Sequence, residues 1–135
     1  MIVTICGSMT ALKEMSYCKD YLVEKGHTVY TPEPFITEEE VEQEHGREYL
    51  LKMKLFFTKR HYDKIEKADV VFIVNPEKKG FHGYIGSNTL MELAVAMYLE
   101  KKIVLLQTPS EEQPNYEELA GLEATVLEGN LDLIN

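Results

Sequence analysis

Cysteine is scarce in this chain, whose 135 residues include only Cys6 and Cys18. A disulfide scaffold is much denser in cysteine, and a cysteine-based metal centre usually spaces its ligands a few residues apart. Neither pattern is present. We therefore interpret both cysteines as reduced thiols of the core and predict no metal site.

Two glycine signatures of nucleotide chemistry are also missing. None of the eight glycines forms the G-x-G-x-x-G pattern of dinucleotide sites or the G-x-x-x-x-G-K-[ST] pattern of P-loops. This argues against hydride transfer with NAD and against hydrolysis of nucleoside triphosphates. We predict no cofactor.

Positively charged residues are few, since 14 Lys and Arg stand against 23 Asp and Glu, for a net charge of −9. Binding to a nucleic acid polymer depends on Lys and Arg that displace counterions from phosphates, and the chain has no basic cluster. A nucleic acid partner is therefore not expected.

Long hydrophobic runs are absent as well. No apolar run reaches the roughly 18 residues that a membrane span needs. Residues 1–6 have the pattern of a strand, not the basic-then-apolar pattern of a signal peptide. We expect a cytoplasmic protein that does not bind membranes.

What the chain does contain is an alternation of short β-rich runs with helical stretches, which is typical of an α/β domain with a parallel sheet. Its length predicts a single domain, 1–135. The predicted strands are 2–6, 27–30, 69–74, 103–107 and 124–127. The predicted helices are 10–25, 47–67, 87–100 and 116–122.

Two stretches between these elements have unusual surfaces. Residues 36–48 are acidic, with a short helix that Thr37 could cap, and we interpret them as a solvated face or a mobile flap. The helix 47–67 has more apolar residues than one sheet face can cover. These residues are Leu50, Leu51, Met53, Leu55, Phe56 and Phe57. The apolar side that the sheet leaves uncovered predicts a subunit interface.

The strand assignment also predicts where a ligand binds. In open α/β sheets the ligand lies beyond the carboxyl ends of the strands. The turn after the first strand, Gly7 to Thr10, can present backbone N–H groups to a phosphate or carboxylate. The residues at these strand ends are Gly7, Ser8, Met9, Thr10, Asn75, the loop 80–89, Gln107 and Thr108.

Glu92 is the most informative single residue. It lies near the start of the helix 87–100, on an apolar face with Ala96 and Leu99, so its side chain should face protein or a cleft. Nearby helix amides are expected to keep it ionised, and an ionised carboxylate suits covalent catalysis at an electrophilic carbon. The alternative is structural, because Thr89-x-x-Glu92 also fits a capping box.

These motifs together resemble the nucleoside 2-deoxyribosyltransferase-like superfamily, which includes nucleotide N-glycosidases, and in particular a bacterial and phage branch of it. The likeness extends from the first strand to about Gln107. It rests on Gly7-Ser8-Met9, His61-x3-Ile65-x3-Asp69-Val-Val-x3-Asn75, Gly83-Tyr84-Ile85-Gly86-Ser87-Asn88-Thr89 and Glu92.

The resemblance implies a flavodoxin-like or Rossmann-like three-layer sandwich with about five parallel strands. It also implies that Glu92 attacks C1′ of a (deoxy)ribonucleoside or its 5′-monophosphate, after which a second base or water takes the sugar. His61, with Asp63 two residues further on, occupies the place of an aspartate that the family uses on the leaving base. A pKa near neutrality would suit His61 to that role.

The resemblance further implies a small-molecule nucleoside or nucleotide as partner and a homodimer or higher homo-oligomer. Two other hypotheses remain, a non-catalytic sensor that binds a nucleotide in the same cleft, and a structural subunit. The residues expected at the substrate are Gly7, Ser8, Met9, Asn75, Gly83, Tyr84, Gly86, Ser87, Asn88 and Thr89.

Overall fold

Five parallel strands form one sheet in the computed structural model, which describes residues 1–134. Their order is β2-β1-β3-β4-β5, which is the flavodoxin-like order. The predicted α/β class and five-stranded parallel sheet are confirmed. The strands are β1 (Ile2–Cys6), β2 (Thr28–Tyr30), β3 (Val70–Ile73), β4 (Lys102–Leu105) and β5 (Ala124–Val126).

The helices follow the predicted positions, with bounds that differ by no more than two residues from the sequence prediction. The predicted cap of the short acidic helix forms, because the Thr37 hydroxyl accepts a hydrogen bond from the Glu40 N–H at 3.1 Å. The helices are α1 (Leu12–Glu24), α2 (Glu38–His45), α3 (Arg47–Lys67), α4 (Ser87–Tyr98) and α5 (Tyr116–Ala120), and single 3-10 turns span Met9–Ala11 and Leu131–Leu133.

The helices cover both faces of the sheet, and strand alternation decides which side chain meets which layer. Val3 and Ile5 of β1 pack with α1 on one face. Cys6 belongs to the opposite face, which packs against α3 and α4. The last residue of β1 therefore points its thiol between these two helices.

The strand order reverses between β1 and β3. The chain goes from β1 outward to β2 on one side, and from β3 outward to β4 on the other. Such a switch point opens a crevice beyond the carboxyl ends of the two strands. Here the crevice lies next to Cys6 and Ile73, the last residues of β1 and β3.

Two glycines allow the loops at this edge to pack closely. A Cβ on Gly7 would lie 2.8 Å from the Val74 carbonyl oxygen, so only glycine lets this turn contact the end of β3. Gly83 has φ +60° and lies against the Thr108 carbonyl, with no room for a Cβ. The close approach of backbone to backbone at the sheet's carboxyl edge depends on both.

The outer surface of α3 keeps apolar side chains exposed. Leu51, Leu55 and Phe56 are 55%, 63% and 50% exposed, whereas Leu50 is buried. The surplus apolar surface predicted from the sequence is therefore present on this helix. No helix within residues 1–134 is both long and apolar enough to cross a membrane.

Candidate active site

Glu92 lies in the second turn of α4, because the helix begins at Ser87 with Gly86 as its N-cap. The capping-box alternative is wrong, since Thr89 is already inside the helix and cannot be the cap. The Glu92 side chain faces inward beside Leu93 and is 4% exposed. Its carboxyl is therefore free of any role at the helix end.

Two further side chains, from α3 and β1, lie beside this carboxyl. His61 of α3 places its Nε2 3.1 Å from Glu92 Oε2 and 3.3 Å from the Cys6 sulfur at the end of β1. The other carboxyl oxygen of Glu92, Oε1, has no hydrogen-bond partner among the described residues. The result is a buried Cys-His-Glu cluster at the switch point of the sheet.

Burial controls the protonation of this cluster. It raises the pKa of Glu92 to about 8, against a smaller lowering by the hydrogen bond with Cys6. Burial, helped by the Lys64 cation, lowers the pKa of His61 to about 4. At neutral pH these shifts favour a protonated Glu92 carboxyl beside a neutral His61 ring. Burial and the Glu92 carboxyl also raise the Cys6 pKa well above its usual value.

Two expectations about charge are wrong. Helix amides do not keep Glu92 ionised, because its place in the second turn is beyond the free N–H groups of the first turn. The His61 pKa is not near neutrality, because the ring is only 4% exposed and burial disfavours its cationic form.

The cluster opens into a cavity of about 180 Å³. His61 and Glu92 line its floor, and the turn after β1 contributes Gly7 and Met9. Asn88 also reaches this cavity, from the first turn of α4. The walls are mostly apolar and include Met9, Ile36, Val41, Leu50 and Phe57.

The acidic stretch forms one side of this cavity. Val41 of α2 is buried, and the wall also includes Glu38, the first residue of α2, and Glu33 from the segment before it. Both carboxylates are paired, Glu33 with Arg60 at 2.6 Å and Glu38 with Lys54 at 3.3 Å. The predicted solvated face is thus also a cover over the cleft.

A second cavity, of about 160 Å³, lies on the other side of the turn after β1. It is lined by four of the predicted substrate residues, Ser8, Tyr84, Gly86 and Thr89. The Ser8 hydroxyl is 2.8 Å from the Thr10 hydroxyl and accepts a long, 3.5 Å hydrogen bond from Lys78. This cavity is polar at the turn and contains the N-terminal end of α4.

Asn75 and Gly83 are part of the scaffold around these cavities. The Asn75 amide donates to the carbonyls of Gly83 and Gln107 at 3.3 and 2.9 Å, and its oxygen accepts from the Gln107 N–H at 3.0 Å. Asn75 is 2% exposed and lines neither cavity. It therefore joins the 76–86 loop to the end of β4.

Asp63 and Ser87 also lie outside both cavities. Asp63 is exposed and lines a separate surface groove with Arg60 and Lys64. Two residues along a helix turn the side chain about 200° away, so Asp63 cannot share the inward direction of His61. Ser87 is exposed at the first position of α4.

Sequence reasoning missed Cys6 and the 32–41 segment as parts of the site. Cys6 ends a predicted strand directly before Gly7, so its position at the sheet's carboxyl edge was readable from the sequence. Its contact with His61 required knowing which face of the sheet α3 covers. The 32–41 segment gave no comparable signal, because its acidic residues are those of an ordinary solvated surface.

Two of the solved structures that are similar to this chain have informative descriptions. A 2-deoxyribosyltransferase from the psychrotolerant bacterium Bacillus psychrosaccharolyticus, described as a biocatalyst for the synthesis of antiviral and antitumoral nucleosides, has a TM-score of 0.63 and 22% identity. That similarity covers 93% of this chain and 85% of the other. The Clostridium botulinum CMP N-glycosidase BcmB has a TM-score of 0.49 and 16% identity, over 93% and 87% of the two chains.

No protein-family profile and no curated protein sequence match this chain. The resemblance drawn from the motifs is confirmed at the level of the fold, because the 2-deoxyribosyltransferase aligns over nearly the whole length of both chains. The chain therefore shares the fold of this 2-deoxyribosyltransferase and buries Glu92 at the switch point of its sheet.

Proposed function

We propose that this protein cleaves or transfers the N-glycosidic bond of a (deoxy)ribonucleoside or its 5′-monophosphate, with Glu92 as the nucleophile. The observation that carries the proposal is the Glu92 carboxyl, which is buried, lines a cavity at the sheet's switch point and has no capping role. The shared fold with a 2-deoxyribosyltransferase supports the same class of reaction.

The proposed reaction has two steps. A Glu92 carboxylate oxygen bonds to C1′, the C1′–N bond breaks, and its electron pair leaves on the base, which takes up a proton. This gives a glycosyl ester of Glu92. A nitrogen of a second base, or water, then bonds to C1′, and the C1′–O bond breaks to return its electron pair to Glu92. The acceptor loses one proton, so atoms and charge balance.

The surroundings of Glu92 suit this chemistry. An oxocarbenium-like transition state carries positive charge, which a carboxylate stabilises more strongly in a buried site than in water. Apolar walls such as Ile36 and Phe57 can receive the flat face of a base. Gly7, Met9 and Asn88 are proposed to contact the part of the substrate that binds in this cavity.

His61 has a supporting role in this proposal. Its Nε2 holds Glu92 Oε2, while Oε1 has no partner within residues 1–134, so Oε1 is the oxygen proposed to attack. The neighbouring cavity, with Ser8, Tyr84, Gly86 and Thr89, is proposed to hold the sugar or its 5′ substituent. Asn75, Gly83, Ser87 and Asp63 have no proposed contact with the reacting atoms.

A product assay tests the proposal. The protein is incubated with a panel of nucleosides, deoxynucleosides and their 5′-monophosphates, with and without a free acceptor base, and the bases are separated by chromatography. We expect free or exchanged base from at least one substrate. We expect Glu92→Gln to lose on the order of 10³-fold or more of this activity.

Glu24→Gln is the matched control, because Glu24 is an exposed helical glutamate on α1. It should keep wild-type activity. A protein that is stabilised by a nucleotide in a thermal shift assay but turns over no member of the panel would overturn the proposal in favour of a sensor. Equal rates for wild type and Glu92→Gln would overturn the assignment of the nucleophile.

A further inference from the structure

Cys6, His61 and Glu92 bring one sulfur, one nitrogen and one oxygen ligand together from β1, α3 and α4. All three ligand atoms lie within 4.8 Å of one another, and all three residues are buried. We propose that they form a three-ligand site for a Zn²⁺-like divalent cation, and that an ion bound there withdraws Glu92 from chemistry. Their wide separation in sequence explains why cysteine spacing gave no hint of it.

Two of the three ligand-atom distances fit a tetrahedral zinc site, and the third, between the Cys6 sulfur and the Glu92 carboxyl, is no more than 4.8 Å. Bonds of about 2.3 Å to sulfur, 2.0–2.1 Å to nitrogen and 2.0–2.2 Å to oxygen place neighbouring ligand atoms about 3.3–3.6 Å apart. The Cys6 sulfur is 3.3 Å from His61 Nε2, and that nitrogen is 3.1 Å from Glu92 Oε2. Shifts of a few tenths of an ångström would give both pairs this spacing.

The donor set selects the class of ion. Thiolate and imidazole ligands favour Zn²⁺ and similar transition metals, whereas Mg²⁺ and Ca²⁺ prefer six or more oxygens. One histidine, one cysteine and one carboxylate leave the fourth tetrahedral position open, as in zinc sites that bind an exchangeable ligand. The cluster therefore matches Zn²⁺ better than a hard cation.

The cavity gives the ion a path and a place for its fourth ligand. His61 and Glu92 line the cavity, whereas Cys6 lies behind them with no exposed surface. An ion arriving from the cavity would reach the nitrogen and oxygen first and the sulfur last. The thiol proton and any proton on the Glu92 carboxyl would pass to solvent as the three ligands close on the ion.

An occupied site would inhibit the reaction proposed above. The ion would bind Glu92 Oε2 and draw negative charge from the carboxylate, so Oε1 would be a much weaker nucleophile towards C1′. The inhibitory role of the ion rests on the proposed function, whereas binding of the ion does not. The two claims therefore need different measurements.

Cobalt provides the test of binding, because Co²⁺ can replace Zn²⁺ and has visible absorption. Protein freed of metal with a chelator is titrated with CoCl₂ while its spectrum is recorded. We expect saturation near one Co²⁺ per chain, intense visible bands of a tetrahedral site and a thiolate-to-cobalt charge-transfer band in the near ultraviolet. Added ZnCl₂ should abolish all of these bands.

Two alanine variants separate the proposed ligand from the other thiol. Cys6→Ala should lose the charge-transfer band, whereas Cys18→Ala should keep it, because Cys18 is a buried thiol within the α1 side of the core. Circular dichroism confirms that each variant is folded. A folded wild type without these bands, or a band that survives in Cys6→Ala, would overturn the site.

Inhibition is measured separately in the base-release assay. Stoichiometric ZnCl₂ should abolish base release, and excess chelator should restore it. Full activity with the metal bound would overturn the inhibitory role and leave the site. Cobalt bands in a protein that releases no base from any substrate would instead leave the site standing and reject the proposed function.

Discussion

At the scale of single residues, the depth of Glu92 in α4 decides what its carboxyl can do. In the first turn it would meet free amides and cap the helix, but in the second turn it meets His61 and Cys6 instead. Burial there raises its pKa to about 8. The side chain is thus mostly protonated at neutral pH and must lose its proton before it can attack.

Activity should therefore rise with pH. A carboxylate is the reactive form, and a raised pKa means that this form is scarce below about pH 8. We expect kcat/KM to increase about tenfold per pH unit below that value and to level off above it. The measurement is a pH profile of base release between pH 5.5 and 9.5, with a chelator present.

The opposite profile would have a specific meaning. A rate that falls as pH rises through this range would show that the proton held between Glu92 and His61 is needed in the reaction. His61 would then be a proton donor to the leaving base and would not merely hold Glu92. A profile without any slope would contradict the Glu92 assignment itself.

Variants of His61 should separate positioning from proton transfer. A hydrogen bond to a charged group contributes roughly 1.5–3 kcal/mol, so His61→Ala should lower kcat/KM about 10- to 100-fold. His61→Gln retains an N–H donor without a titratable proton. We expect it to recover a large part of this loss.

Steady-state kinetics of the two variants, with melting temperatures as a check on folding, provides the comparison. His61→Gln and His61→Ala with the same low rate would contradict a positioning role. His61→Gln should also keep the wild-type pH profile, because that profile is assigned to Glu92.

At the scale of elements, two helices and the end of a strand assemble the site by their periodicity. His61 and Ile65 lie one turn apart on the buried face of α3, and Glu92 and Ala96 do the same on α4. This inward face of α4 was predictable from its apolar stripe. The side of the sheet that each helix covers was not predictable from the sequence. Cys6 contacts His61 because α3 lies on the face to which Cys6 points.

Asn75 links the elements around the site, and its loss should destabilise the protein. Asn75→Ala removes three hydrogen bonds at a buried position. At about 1 kcal/mol each, with carbonyls left unpaired, we expect the free energy of unfolding to fall by roughly 2–4 kcal/mol. Urea denaturation measures this change.

Asn130→Ala is the control for that measurement. Asn130 is an exposed asparagine that caps the last 3-10 turn, so its replacement should cost about 1 kcal/mol or less. Equal losses in the two variants would contradict the linking role of Asn75. A ligand-dependent effect of Asn75→Ala at unchanged stability would show that Asn75 contacts substrate after all.

At the scale of the whole molecule, the exposed apolar side of α3 predicts self-association. Leu51 and Leu55 lie one turn apart and remain more than half exposed. Contiguous apolar surface of this kind is typical of an interface. We expect light scattering coupled to gel filtration to give a dimer or a larger oligomer, and Leu55→Glu to shift it to the monomer.

Val23→Glu is the matched control, because Val23 is equally apolar and half exposed but lies on α1, in the opposite layer. It should leave the oligomer unchanged. A monomeric wild type at assay concentration would contradict the prediction of an interface on α3.

Most of the fold could be predicted from the sequence, but only part of the candidate site could. Unbroken apolar runs and glycine stops indicated the order and type of the elements, and the rule for strand ends placed Gly7 and Met9 where they line the cavity. Their contact with substrate stays a prediction. Protonation was not readable, because it depends on burial that the chain creates only when α2, α3 and α4 close around Glu92. Asn75, Gly83 and Asp63 were predicted as site residues but line neither of the two cavities in the folded chain.

Trapping a glycosyl ester on Glu92 tests the proposed nucleophile directly. The protein is mixed with a substrate found in the base-release assay, without acceptor base, quenched rapidly in acid and analysed by peptide mass spectrometry. We expect a gain of one sugar on the peptide that contains Glu92, and no gain in Glu92→Gln. A sugar attached to a different residue, or base released by Glu92→Gln at the wild-type rate, would contradict it.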